Sequence, residues 1–167
     1  MLELFQIPHT SVPVLHATRR LTGFVSGTLI RTADGDLPVE FIGAGDRVLT
    51  RERGLVTVQG VSVVRARDMD VVHIAAGTYG NPRPLTLPAA QQVLVQDWRA
   101  AILEGAERML TSAGSLVDGG PVRRETVEDL RLYKLHLNAT AMIWAEGIET
   151  ATGVIRRTPA KPRRPLH

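Results

Sequence analysis

Proton transfer and metal binding near neutral pH fall first to histidine, and the chain has five: His9, His16, His73, His136 and His167. No two of them stand at the short spacings that build a metal site from one element, so no metal is expected. His73 and His136 fall in strand-like runs and read as packed or surface residues. There is no cysteine, which excludes a thiolate nucleophile, a disulfide framework and a thiolate metal site. Asp46 closes a G-A-G-D turn, where a carboxylate accepts backbone N–H bonds rather than serving as an acid. Ser26 reads the same way, as a turn hydroxyl bonded to local backbone. Trp98 and Trp144 suit core or rim packing, and an aromatic content of 4% argues against base- or sugar-stacking platforms. Glu125, Glu128 and Asp129 read as a solvated acidic turn. No G-x-G-x-x-G or phosphate-binding loop follows a strand, and no cofactor is expected.

The 167 residues favour one domain with a real core. The net charge of +3 conceals an asymmetry. RRTPAKPRRPLH (156–167) holds five Lys/Arg, so the remainder has 15 basic residues against 17 acidic. The folded part is thus near neutral, and residues 153–167 read as a disordered basic tail. Arg156, Arg157, Lys161, Arg163 and Arg164 could contact nucleic acid or an anionic surface weakly; a solubilising tail is the blander role. No run approaches a membrane helix. The start lacks a basic n-region before an apolar run. With no cysteine either, a cytoplasmic setting is expected over classical secretion, and a monomer over an oligomer. The protein partner is left open.

The elements that must position any site are strands. Residues 1–21, with Pro8, Pro13, Arg19 and Arg20, read as an extended arm with an edge strand. TLIRT (28–32) alternates apolar and polar, Asp34-Gly35 supplies a tight turn, and VEFI (39–42) reads as the returning strand. RVLTR (47–51), LVTVQGVSVVRAR (55–67), VVHIAAG (71–77) and QQVLVQD (91–97) follow, with Gly60 marking a bulge or bend. Residues 78–88 read as a proline-rich loop. Residues 98–117 predict a short irregular or helical insert, since helix formers are interrupted by Gly105 and Gly114. VRRETV (122–127), LRLYKLHL (130–137) and AMIWAEG (141–147) complete the set, the last two joined as a hairpin through Asn138-Ala139-Thr140. Short strands with frequent turns predict an all-β fold.

Four segments, in order, resemble one family. GFVSGTLIRTADGDLPVEFIGAGDRVLTR (23–51) is similar to the opening of a hedgehog/intein (Hint) domain, where a nucleophile begins a C-F-x-x-G-T-x-I-x-T run before a D-G turn and a P-V-E hairpin. HIAAGTYG (73–80), LPAAQQVLVQ (87–96) and LHLNATAMIWAEG (135–147) resemble later motifs of its bacterial subfamily. The resemblance spans residues 22–152 and implies a compact, pseudo-symmetric β domain. It also implies an ancestral self-cleavage: a Cys or Ser side chain attacks the preceding carbonyl, a His protonates the leaving amine, and donors hold the oxyanion.

This chain departs from that pattern at the reacting positions. Gly23 stands at the nucleophile position, Gln91 at the first His position and Thr140 at the second. Scaffold residues Gly27, Thr28, Gly35, Pro38, Gly45, Asp46, Gly77, Glu146 and Gly147 are kept. The resemblance therefore implies a domain inactive in self-cleavage and used as a folded interaction module. The enzymatic alternative is residual autoproteolysis near Thr22-Gly23 with Ser26 or Thr28 as a substitute nucleophile.

Overall fold

The computed structural model describes residues 12–16, 20–96, 102, 107–153 and 155. It is nearly all β. Thirteen strands are described, in two sheets.

The opening hairpins show how pattern becomes fold. In β3 (Leu29–Thr32) alternation turns Ile30 and Thr32 inward and leaves Arg31 outside. Ala33-Asp34 then turns the chain so tightly that Thr32 pairs with Gly35 at once. Gly35 sits at φ +93°, a conformation that costs glycine little. The return strand is therefore β4 (Gly35–Pro38) and not 39–42: its pairing is exhausted when Pro38 reaches Leu29. Val39–Phe41 becomes a 3-10 turn that drives Val39 into the core. β5 (Arg47–Thr50) and β6 (Gly54–Thr57) form the next hairpin.

The centre of the other sheet is a long ribbon. β7 (Gly60–Ile74) and β11 (Val122–His136), of 15 residues each, pair antiparallel from His136 opposite Gly60 to Val122 opposite Ile74. Sequence polarity splits each into two, and marks Glu125–Asp129 as a turn. The strands run on because much of the ribbon faces solvent, where charged side chains need no loop. Asp68, at φ +51°, absorbs a local kink between the Arg67–Asp129 and Met69–Val127 pairs. β1 (Val14–His16) adds in parallel to Arg65–Arg67, the expected edge strand of the arm. β2 (Phe24–Val25) pairs with Tyr133 and Leu132. β8 (Leu85–Pro88) pairs with β7, so the proline-rich loop ends four residues earlier than its composition suggests.

The expected hairpin between 130–137 and 141–147 does not form. β12 (Met142–Ala145) lies in the opposite sheet and pairs with β13 (Ile148–Ala151), because residues 137–141 carry the chain from one sheet to the other. β9 (Gln92–Val95) and β10 (Met109–Ser112) complete that sheet in the order β10-β9-β13-β12-β3-β5-β6. Of the insert expected at 98–117, the later part is β10 and a 3-10 turn at Ala113–Leu116. Most of the earlier part, Trp98 included, lies outside the described residues.

Both sheets feed one core, in which Ile30, Val48 and Ile143 meet Val72, Ile74 and Val122. A smaller cluster of Ala66, Met69, Val71 and Leu132 packs under Leu21 and Val25, where the chain enters the domain. No helix among the described residues is long and apolar enough to cross a membrane.

Candidate active site

The entry of the chain, β9 and the exit from β13 converge on one buried side chain. Gln91, just before β9, is 1% exposed. Its Oε1 accepts the backbone N–H of Gly23 at 2.9 Å, and its Nε2 donates to the carbonyl of Ala151 at 2.7 Å. One carboxamide thus joins the incoming and outgoing strands. The neighbouring Gln92 repeats the device further along the exit: its Oε1 accepts the Ile155 N–H at 2.7 Å and its Nε2 donates to the Ile155 carbonyl at 3.1 Å.

Gly23 fits this place through its backbone. Its φ of +143° lies where side chains are rarely tolerated. A Cβ added there would stand 3.1 Å from the Tyr133 carbonyl oxygen and 3.4 Å from the Leu132 Cβ. The strand pairing of Phe24 with Tyr133 holds the two backbones that close. The position therefore lacks a nucleophile and also disfavours one.

Of the residues singled out from sequence, the structure brings Gly23 and Gln91 together. Thr140 is exposed and sits across the exit strand, its Oγ1 3.1 Å from where a Cβ on Gly153 would stand. Thr152 and Ala141 bond reciprocally beside it, the Thr152 N–H to the Ala141 carbonyl at 2.9 Å and the Ala141 N–H to Thr152 Oγ1 at 3.0 Å. Ser26 is exposed, and its N–H donates to the Arg131 carbonyl at 3.3 Å. Thr28 is buried, its N–H on the Val25 carbonyl and its own carbonyl accepting the Val39 N–H. Among the described residues, no histidine or carboxylate side chain bonds the hydroxyl of Ser26 or Thr28. Arg156, Arg157, Lys161, Arg163 and Arg164 lie outside the described residues.

Two kept carboxylates, Glu146 and Asp46, and the neighbouring Glu40 shape the entrance. Glu40 Oε2 accepts the Gly27 N–H at 2.7 Å, and Glu146 Oε1 accepts the Leu29 N–H at 2.9 Å. Asp46 Oδ2 accepts the Gly43 N–H at 2.8 Å, the turn role its context implies. Two hydroxyl–imidazole pairs occur elsewhere, on the sheet built around the ribbon. Ser62 meets His136 at 2.6 Å, and Thr86 meets His73 at 2.8 Å, with Glu125 on the other ring nitrogen. Neither pair is legible from spacing along the chain, because each is made by residues on neighbouring strands.

A proton-transfer step at the Thr22-Gly23 amide needs an acid that can give its proton to the leaving nitrogen. Gln91 meets that nitrogen as an acceptor, with its donor turned to Ala151. A carboxamide does not exchange a proton as an acid near neutral pH. Among the described residues, the resolved shifts of ionisation fall on Arg65 and Asp129, outside the Gly23–Gln91 bridge. The guanidinium of Arg65, hydrogen-bonded to Asp129, holds that carboxyl below its usual range and is itself raised by the same bond.

A family model described as the Hint domain matches residues 22–155. The chain belongs to the Hint domain family. Solved structures agree on the fold. The bacterial intein-like domain from Clostridium thermocellum superposes with a TM-score of 0.57 at 19% identity, covering 78% of this chain and 97% of that one. The TvoVMA intein gives 0.56 at 11% identity, over 80% and 98%. A DnaB intein from Synechocystis sp. PCC 6803 gives 0.55 at 8% identity, over 80% of this chain and 100% of its own. A comparison with curated proteins gave no match. At such identities the likeness carries the Hint fold, and the chemistry of this Hint domain has to be argued from its own residues.

Proposed function

We propose that this Hint domain is silent in self-cleavage and serves as a folded interaction module. The observation that carries the reading is the Gly23–Gln91–Ala151 bridge. The position that would open an acyl transfer has no side chain, and its backbone disfavours one. The position that would supply the proton holds a carboxamide with both ends engaged. Loss of acid–base help alone removes about 10²–10⁴ in rate, and loss of the nucleophile removes the covalent route.

The module half of the reading draws on what surrounds this bridge. A cavity of about 810 Å³ opens beside the entry, lined by Leu21, Asp70, Ala89, Ser112 and Arg124 among others. Leu21 lies two residues before Gly23, and Ala89 two before Gln91. A partner bound there would be read by a fold whose entry and exit are locked together.

Intact-mass spectrometry of the purified chain tests the silent half. One unchanged mass after days at acidic, neutral and alkaline pH is expected. A fragment beginning at or near Gly23 would overturn the reading in favour of self-processing through Ser26 or Thr28.

A further inference from the structure

A second polar cavity, of about 420 Å³, lies on the other sheet, bordered by Tyr79, Leu94, Arg108, Trp144, Ile148 and Glu149. Its wall is set by register. Leu94 on β9, Glu149 on β13 and Trp144 on β12 stand directly opposite one another, so their side chains share one face of the sheet. A carboxylate is thereby placed between an aliphatic and an aromatic neighbour, and it is buried. Such a charge is tolerated only when paired. Arg51 Nη1 bonds both Glu149 oxygens at 2.9 Å, and Arg108 Nη1 bonds Oε1 at 2.6 Å.

This pairing is incomplete in a specific way. Each carboxylate oxygen can accept from two directions. Oε1 takes two donors, whereas Oε2 takes one. Arg108 spends only Nη1, so its Nη2 and Nε donors have no hydrogen-bond partner among the described residues. The two guanidinium groups also exceed the single carboxylate by one positive charge. An acceptor direction and a donor fork unused among the described residues thus belong to two side chains that border one cavity. Their apolar surroundings are Leu94 and the Trp144 indole, the latter half-buried and steadied by the Arg31 guanidinium 5.7 Å from its ring centre.

We propose that this cavity binds a small α-amino acid zwitterion with an apolar side chain. The ligand carboxylate takes the free fork of Arg108, for which bidentate pairing is the favoured geometry. The ligand ammonium donates to Glu149 Oε2. The apolar side chain lies against Leu94 and Trp144. The volume suits one amino acid or a very short peptide, and the adjacent charges demand both ends free on the same small molecule. A simple anion would satisfy Arg108 and leave Glu149 Oε2 unmet.

Saturation-transfer NMR and calorimetry on the full chain test this with L-phenylalanine and L-leucine, beside N-acetyl-L-phenylalanine, L-phenylalaninamide and acetate. Saturable binding of the free amino acids is expected, weakened about tenfold or more by either cap, since each removes one charge-assisted contact. Arg108→Lys keeps the charge but loses the fork, and is expected to weaken binding at least several-fold. Because Arg108 is half-exposed, this variant keeps the fold, and its thermal melt confirms that. Leu94→Ala, on the apolar wall, should reduce the preference for phenylalanine over glycine. Absence of binding below about 10 mM, a Kd far weaker than specific sites show, would overturn the proposal. Equal binding of the capped compounds would too, as would binding untouched by Arg108→Lys. Binding of acetate as tight as L-phenylalanine would reduce the site to a plain anion site and overturn the zwitterion.

Discussion

Two buried polar side chains, Gln91 and Glu149, solve the same problem in opposite ways. Glu149 sits on β13, Gln91 immediately precedes β9 of the same sheet, and Gln91 bonds the end of β13 at Ala151. Gln91 is neutral and engaged at both ends by backbone: its Oε1 meets one N–H, and its Nε2 meets the Ala151 carbonyl at 2.7 Å and the Gln92 carbonyl at 3.5 Å. Glu149 is charged and over-supplied, with two half-exposed arginines around it and donors left over. A buried amide bonded at both ends to backbone stabilises and closes a site, because an entering group would have to break those bonds. An unsaturated buried ion pair invites a ligand. On the proposed reading, the difference separates the part of this Hint domain silent in self-cleavage from the part with room for a ligand.

The contrast is broken most severely at Gln91. Gln91→Ala leaves the Gly23 N–H and the Ala151 carbonyl buried without partners, each costing about 1–3 kcal/mol. A loss of roughly 3–5 kcal/mol in urea unfolding is expected. A loss under about 1 kcal/mol would mean that water replaces the side chain and that the bridge is not closed. Gly23→Cys comes next. It restores the sulfur that the family chemistry uses, yet forces a side chain into φ +143° against Tyr133. Destabilisation of about 1–3 kcal/mol is expected, with no cleavage product by mass. Cleavage by this single variant would show that Gln91 suffices as the partner of the scissile amide.

Glu149→Gln sharpens the comparison from the other side. The amide offers one acceptor and brings a donor that faces Arg108. The arginines, each nearly half exposed, can turn to water, so the cost is about 1–2 kcal/mol. That is below the cost at Gln91 although a charge is removed. Calorimetry on the same variant should show the amino acid affinity gone. Retained affinity would place the ammonium elsewhere.

Much of this was legible in order along the chain. Asp34-Gly35 announces its turn, alternation in 29–32 announces which residues go inside, and Gly23 and Gln91 can be marked by position as departures from the reacting residues of the family pattern. What local pattern leaves out is tertiary. That Gly23 and Gln91 touch is fixed by strands 68 residues apart. That Thr140 stands aside follows from the crossing at 137–141 between sheets, which no hairpin signal encodes. The Glu149 cavity is invisible for the same reason: Leu94, Trp144 and Glu149 share a face only through register, and Arg51 and Arg108 arrive from distant turns. The ribbon misled because charge was read as loop, whereas a solvent-facing two-stranded ribbon carries charge without bending.

The ribbon also supplies the lower bound of the comparison. Arg65 grips Asp129 with Nε at 2.8 and 3.0 Å from its two oxygens, and with Nη2 as well. The bond lowers the Asp129 pKa. A carboxyl depressed on folding contributes stability above its unfolded pKa, near about 4, and that contribution is lost as pH falls through the lower native value. The pair is open to water, so its contribution is small and screened. Asp129→Asn should therefore cost a barely measurable amount at neutral pH. The difference from the parent should shrink as the solution is acidified below the native pKa, and also in about 0.5 M salt. A gap that persisted in acid or salt would show that the side chain acts through packing. Bonding distances are similar at Asp129 and Glu149, so the expected loss of the gap would leave burial, 8% exposure at Glu149 against 43% at Asp129, as the reason the two behave differently.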